Sequence, residues 1–111
     1  MEDREVRIAK TEALFRDVNE RIAEASERFD SNEAEFMCEC ADAACAERLE
    51  VPLAEYEQVR EDATTFLLSP SHVRPDVERI VGHRRGYAIV KKMNSAVATI
   101  VRRLDPRAEP A

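Results

Sequence analysis

All three cysteines of the chain lie in one stretch of eight residues, Cys38-Glu-Cys-Ala-Asp-Ala-Ala-Cys45. Their spacing is C-x-C-x4-C, and this stretch, residues 38–45, is called the knuckle below. An odd number of thiols cannot pair completely within one chain, so we do not expect a disulfide framework. Thiolate sulfur is a preferred zinc ligand, and the knuckle therefore predicts three ligands of a zinc site: Cys38, Cys40 and Cys45.

A structural zinc ion takes four ligands in tetrahedral geometry, so one further side chain is required. The chain has two histidines. We expect His72 to be the fourth ligand, because it lies in a loop directly after a predicted strand and can return to the knuckle across a small sheet. His83 lies beside Arg84 and Arg85, where exposure and positive charge disfavour a cation. His83 and a water molecule are the open alternatives for this position.

Clustered thiols also serve redox sensors and iron–sulfur clusters, so the knuckle alone does not exclude these uses. A catalytic zinc ion keeps an open position, which His72 would fill. Glu39 or Asp42 would act as a general base only if that position held water. The sequence contains no Gly-rich phosphate loop, no Ser nucleophile elbow and no helix-borne pair of histidines. We therefore expect a non-catalytic protein.

The length of 111 residues indicates one hydrophobic core. We divide the chain into an N-terminal amphipathic helix at residues 1–32, a zinc-binding α+β domain at 33–92, and a C-terminal helix with a frayed tail at 93–111. A core of this size would gain from a metal cross-link.

The first helix is predicted at residues 5–28, which contain neither proline nor glycine and end before the turn-forming Asp30-Ser31-Asn32. Its apolar residues recur at helical steps and form one stripe: Val6, Leu14, Val18, Ile22, Ala25 and Phe29. We expect this stripe to pack on the domain or to pair with a partner helix.

The residues around the knuckle read as a hairpin. Strands are predicted at 35–38 and 47–51, on either side of the knuckle. A helix at 53–62 follows Pro52, and a third strand is predicted at 65–68.

A second hairpin is predicted from strands 77–81 and 87–91 around a glycine-flanked loop at 82–86. A short helix follows Asn94-Ser95 and stops at Asp105-Pro106. The predicted fold class is α+β, with a long N-terminal helix, a small antiparallel zinc-knuckle sheet with one inserted helix, and a short C-terminal helix.

Charge is unevenly distributed along the chain. Residues 1–62 carry 8 Lys/Arg against 19 Asp/Glu, a balance of −11, whereas residues 63–111 carry 9 against 4, a balance of +5. The acidic half disfavours nucleic-acid binding unless the basic end acts alone. The sequence also shows neither a signal peptide nor a membrane-spanning stretch, which predicts a cytoplasmic protein that does not bind membranes.

Four motifs carry a resemblance to a known group of proteins. They are Phe-x-Cys-Glu-Cys-x4-Cys at 36–45, Leu-x-Glu-Tyr-Glu-x-Val-Arg at 53–60, Pro-x-His at 70–72 and Gly-Tyr-x-x-Val at 86–90. With these motifs the chain resembles a group of small, functionally uncharacterised bacterial proteins over residues 7–92. The resemblance implies that the knuckle and His72 occur together, as in a metal site, but it brings no known activity.

The chain departs from this group in two respects. Ser71 stands where a glycine is expected before the histidine, and the helix after Lys92 is an extension.

These observations predict a zinc-stabilised, non-catalytic interaction or regulatory module that contacts another protein through its N-terminal or C-terminal helix. The alternatives are a transcription-associated nucleic-acid-binding protein that uses the basic C-terminal half, and a thiol-based redox sensor or small zinc enzyme.

Overall fold

The computed structural model of the protein describes residues 3–107. Its helices are α1 Arg4–Arg28, α2 Leu53–Val59 and α3 Ser95–Arg103. Its strands are β1 Glu33–Met37, β2 Arg48–Pro52, β3 Thr65–Leu68, β4 Glu78–Arg84 and β5 Tyr87–Lys92. The predicted α+β class, with a long N-terminal helix and a short C-terminal one, is confirmed.

The five strands form two small antiparallel sheets. One sheet is the β1–β2 hairpin, which flanks the knuckle as predicted, and the other has the strand order β3–β5–β4. Helix α2 lies between the last strand of the first sheet and the first strand of the second. The knuckle therefore lies in the connection between β1 and β2.

The turn between β4 and β5 is shorter than predicted. Strand β4 extends to Arg84, so only Arg85 and Gly86 connect the two strands. Gly86 has a φ of 87°, a left-handed conformation that glycine adopts without steric cost. Gly82 lies inside β4 and pairs with Ile89 where the register shifts. The loop predicted at 82–86 is therefore wrong, because the first glycine belongs to a bulged strand.

Helix α1 buries a different face from the one its apolar stripe predicts. Leu14 is 62% exposed, Val18 is 38% exposed and Phe29 is 78% exposed. The inward face instead contains Ile8, Ala9, Glu12, Phe15, Arg16, Asn19, Glu20, Ala23 and Ser26. The expectation that the stripe packs on the domain is wrong for Leu14, Val18 and Phe29, whereas Ile22 of the same stripe packs against the core. Much of the inward face is polar.

Each charged residue on this inward face has a partner of opposite charge. Glu12 lies 2.5 Å from Nζ of Lys92, and Arg16 lies 3.1 Å from Glu39. Glu20 accepts a hydrogen bond from Nε of Arg60 at 2.6 Å. Burial of a charge is costly unless the charge is paired and hydrogen-bonded. Each of these charges is paired, although Oε1 of Glu12 and Nε of Arg16 have no hydrogen-bond partner among the described residues.

All three helices contribute to one hydrophobic core. Ile8 of α1, Tyr56 of α2 and Val97 of α3 belong to the same cluster of buried residues. The ring of Tyr56 stacks on Phe36, with centroids 4.3 Å apart. Helix α3 begins as predicted, with the side chain of Asn94 accepting a hydrogen bond from the backbone N–H of Val97. The predicted frayed tail falls largely on residues 108–111, outside the described part of the chain.

Candidate metal centre

The structure brings the four predicted ligand residues together. Cys38 directly follows β1, Cys40 and Cys45 lie in the loop before β2, and His72 ends a short 3-10 turn after β3. The four candidate ligand atoms all lie within 4.8 Å of one another. Residues from the segments that follow β1 and β3, strands of two separate sheets, therefore meet around one point.

The distances fit one small metal ion. Nδ1 of His72 lies 3.4 Å from Sγ of Cys38 and 3.6 Å from Sγ of Cys45. In a tetrahedral zinc site, the usual bond lengths place a sulfur and a nitrogen ligand about 3.6 Å apart. Two of the sulfurs thus lie at the distance from the imidazole nitrogen that one zinc ion would set, and Sγ of Cys40 lies within 4.8 Å of the other three atoms. The four side chains can hold a metal ion.

The local backbone directs the knuckle toward this point. Cys38 donates its backbone N–H to the carbonyl of Glu47, which continues the hairpin pairing by one residue. Cys45 donates to the carbonyl of Asp42, closing a tight turn, and Asp42 also accepts from Ala44 through its side chain. The backbone N–H of Ser69 points at Sγ of Cys38 from 3.2 Å. The hydrogen bond with Cys40 and burial raise the pKa of Cys38 by more than this contact lowers it.

The three thiols have different pKa values because they form hydrogen bonds with one another and are buried to different degrees. A hydrogen bond with Cys38 lowers the pKa of Cys40 to about 5. The same hydrogen bond, together with burial, raises the pKa of Cys38. Burial raises the pKa of Cys45. Cys40 is thus the first to ionise, and a bound cation would favour the thiolate form of all three.

The site is partly open to solvent. Cys38 and Cys40 are buried, whereas Cys45 and His72 are half-buried. A cavity of about 240 Å³ adjoins the site and is lined by residues that include Asp42, His72 and Arg74. The candidate ligands are therefore partly accessible from solvent.

Glu47 orients the imidazole of His72. Its Oε2 lies 3.2 Å from Nε2 of His72, so that Nδ1 is directed at the sulfurs. The other carboxylate oxygen of Glu47 accepts from the hydroxyl of Ser69 at 3.3 Å. Carboxylates commonly hold metal-binding histidines in this way. The sequence interpretation did not include Glu47, although it lies two residues after Cys45.

Glu39 joins the knuckle to α1. Its side chain is fully buried and accepts hydrogen bonds from Arg16 at 3.1 Å, from Asn19 at 2.9 Å and from the backbone N–H of Leu67 at 3.2 Å. Asn19 also bonds both the carbonyl and the N–H of Met37. With its carboxylate engaged in this manner, Glu39 is not placed to act as a base toward solvent.

His83 lies apart from the cluster. It is exposed on β4, and the group of potential ligands found among residues 3–107 does not include it. Within the same residues, no helix combines the length and the apolarity needed to cross a membrane.

The chain was compared with protein-family models, with curated proteins and with solved structures, and none of the three comparisons gives a match.

Proposed function

We propose that the protein is a small, zinc-stabilised, non-catalytic interaction module. The observation that carries this proposal is the convergence of Cys38, Cys40, Cys45 and His72. Their distance from one another in the sequence means that a metal ion would cross-link the β1–β2 hairpin to the end of β3. Structural zinc contributes about 10 kcal/mol or more of apparent binding free energy in small domains, enough to decide whether this core folds.

The donor set favours zinc over other metals. Sulfur and imidazole together suit zinc, whereas oxygen ligands suit magnesium and calcium. An iron–sulfur cluster would hold its ligands apart around several metal atoms. The close approach of His72 to Cys38 and Cys45 fits a single ion better.

A structural ion is favoured over a catalytic one because four protein side chains lie close enough together to fill all four positions. Catalytic zinc generally has three protein ligands and an open fourth position for water or substrate. The carboxylate closest in sequence to the ligands, Glu39, is buried and held by α1 and β3.

The experiment compares two histidine variants. Protein purified without a chelator is analysed for metal content by mass spectrometry, and thermal unfolding is followed with and without EDTA. We expect stoichiometric zinc in the wild type and in His83→Ala, and weak or no retention in His72→Ala and Cys40→Ser. Metal-free wild-type protein whose unfolding is insensitive to added zinc and to EDTA would overturn the proposal.

A thiol-based redox role is the second candidate. The observation that favours it is the partial exposure of Cys45, since a reactive thiol must be accessible from solvent. Rapid labelling of thiols in zinc-loaded protein would support it, whereas thiols that react only after EDTA is added support a closed structural site.

A further inference from the structure

Five charged side chains form a buried cluster where the first half of α1 packs on the rest of the protein. Each is at most 2% exposed: Glu12, Glu39, Glu78, Arg16 and Lys92. The ring of Phe66 lies beside both cations, with its centroid 3.6 Å from Cζ of Arg16 and 4.8 Å from Nζ of Lys92. Three carboxyl groups thus share two cations, and the cluster has one negative charge in excess when all three are ionised.

Glu12 is the carboxyl group with the fewest hydrogen bonds in this cluster. Glu39 accepts three, and Glu78 accepts one from Lys92 and one from the backbone N–H of Arg74 at 2.9 Å. Oε2 of Glu12 accepts from Lys92, but its buried Oε1 has no partner among residues 3–107. A buried charge without a donor is costly, and a proton on Oε1 removes it. Burial accordingly raises the pKa of Glu12 to about 7, against the opposing effect of Lys92.

Other charged residues of the surrounding helices and strands are exposed or paired elsewhere. Half-buried ones pair away from the cluster, Lys91 with Asp62, Glu55 with Arg84 and Glu57 with Arg107. The exposed ones are Arg7 and Lys10 of α1, Glu33 and Glu35 of β1, Arg79 and Arg84 of β4, and Arg102 and Arg103 of α3. The charges that face Glu12 are therefore those of the buried cluster itself.

We infer that a proton on Glu12 acts as a pH-sensitive latch, which holds the first segment of α1, residues 4–12, against the ends of β4 and β5 and releases it when the proton is lost. Apart from Glu12, this segment is held by the buried Ile8 and Ala9 and by an exposed ion pair of Arg4 with Asp76, and exposed pairs contribute little. The rest of α1 is held separately, through Arg16 and Glu20. The latch does not depend on metal in the knuckle.

Release of the segment is coupled to loss of a proton. In the released segment Glu12 is in water and ionises at about pH 4.5, whereas in the docked segment it keeps its proton up to about pH 7. The docked form is therefore favoured at low pH, and this advantage is lost as the pH rises through 7. Between pH 6 and pH 8 the released fraction should grow roughly tenfold.

The test is hydrogen exchange followed by mass spectrometry on the full-length protein with added zinc, at pH 6 and pH 8. Wild type is compared with Glu12→Gln at the same pH, so that the intrinsic effect of pH on exchange cancels. Glu24→Gln, an exposed position on the same helix, is the control. Glu78→Gln leaves two carboxyl groups for two cations, and so tests whether the excess charge is the cause.

We expect exchange of residues 4–12, relative to Glu12→Gln, to rise roughly tenfold in wild type from pH 6 to pH 8. Glu24→Gln should follow the wild type, whereas in Glu78→Gln the rise should shrink because Glu12 ionises at lower pH. At pH 8 the segment should exchange faster than strand β3. Its exchange should also respond little to low concentrations of urea, since a local opening exposes little surface.

Three results would overturn the inference: the same pH dependence in wild type and Glu12→Gln, a full rise retained in Glu78→Gln, or exchange of residues 4–12 that is no faster than that of β3. The last would mean that the segment opens only with the whole protein. Zinc content of the same samples tests the proposed function separately, because the latch is expected with or without metal.

Discussion

Glu47 and His72 face each other at the edge of the candidate metal centre, with Oε2 of the glutamate 3.2 Å from Nε2 of the imidazole. The opposite ring nitrogen, Nδ1, is the one that approaches Cys38 and Cys45. The imidazole of His72 thus faces a carboxylate with one ring nitrogen and two sulfurs with the other. The arrangement leads to the first of four predictions.

Replacement of Glu47 should weaken metal binding without removing a ligand. Loss of a carboxylate partner of a metal-binding histidine typically lowers metal affinity by about 10- to 100-fold. Glu47→Ala should show this loss and Glu47→Gln a smaller one, since an amide oxygen still accepts a hydrogen bond. Competition with a chromophoric chelator measures the affinity. Glu50→Gln, exposed on β2 of the same hairpin, is the control, and equal affinities for Glu47→Ala and wild type would contradict the prediction.

Replacement of Glu39 should destabilise the zinc-loaded protein. Glu39→Ala leaves the buried guanidinium of Arg16 without its carboxylate, and the removal of one partner from a buried pair costs about 3–5 kcal/mol. Urea unfolding at saturating zinc gives the free energy. Glu35→Ala, at an exposed position three residues before the knuckle, should cost far less. Similar losses for the two variants would show that the pairing with α1 contributes little.

Stability should fall between about pH 4.5 and pH 7 because of Glu12. Burial raises the pKa of this carboxyl to about 7, with Glu78 and Glu39 adding to the rise and Lys92 opposing it. The folded state then binds a proton that the unfolded chain releases at about pH 4.5, so the folded state loses up to about 3 kcal/mol as the pH rises through this window.

The measurement is the difference in unfolding free energy between wild type and Glu12→Gln at pH 5 and pH 8. The glutamine does not titrate, so the wild type should lose stability relative to the variant as the pH rises. Glu61→Gln, which is exposed, serves as the control. A difference that stays constant with pH would contradict the raised pKa.

The two tyrosines should respond in opposite directions to removal of the hydroxyl. Among the described residues, nothing accepts from or donates to the buried hydroxyl of Tyr56, whereas Tyr87 donates to Glu55 at 2.7 Å. Tyr56→Phe should leave stability unchanged or raise it by about 1 kcal/mol, and Tyr87→Phe should lower it by about 1 kcal/mol. Urea unfolding gives the free energy of unfolding of both variants. A larger loss of stability in Tyr56→Phe than in Tyr87→Phe would show that the Tyr56 hydroxyl has a partner.

The sequence predicts the ligand cluster and most elements because their signals are local. The C-x-C-x4-C spacing lies within eight residues, and Thr65–Leu68 forms a strand with the predicted bounds. The place of His72 near the knuckle could be predicted because this residue follows that strand. By contrast, the roles of Glu39 and Glu47 depend on partners that are distant in the sequence, such as Arg16 and His72.

The sequence predicts the wrong buried face of α1, because the spacing of apolar residues carries no information about charged residues that pair in the fold. A second helical stripe runs through Glu12, Arg16, Asn19 and Ala23, and it is this stripe that faces the core. Its polar members are buried because Lys92 and Glu39 lie opposite them. The regular spacing of these polar residues can be read from the sequence, but the residues that pair with them are known only from the fold.

The place of Glu39 between two candidate metal ligands, Cys38 and Cys40, has a practical consequence for the choice of fragments of the chain. A fragment that begins at residue 33 would retain every sulfur and imidazole of the site, yet it would lack Arg16 and Asn19. Its carboxylate would then lie beside Leu67 with no cation to neutralise it. A fragment used to test metal binding should therefore begin upstream of Arg16, because a shorter one would lack the side chains that hold Glu39.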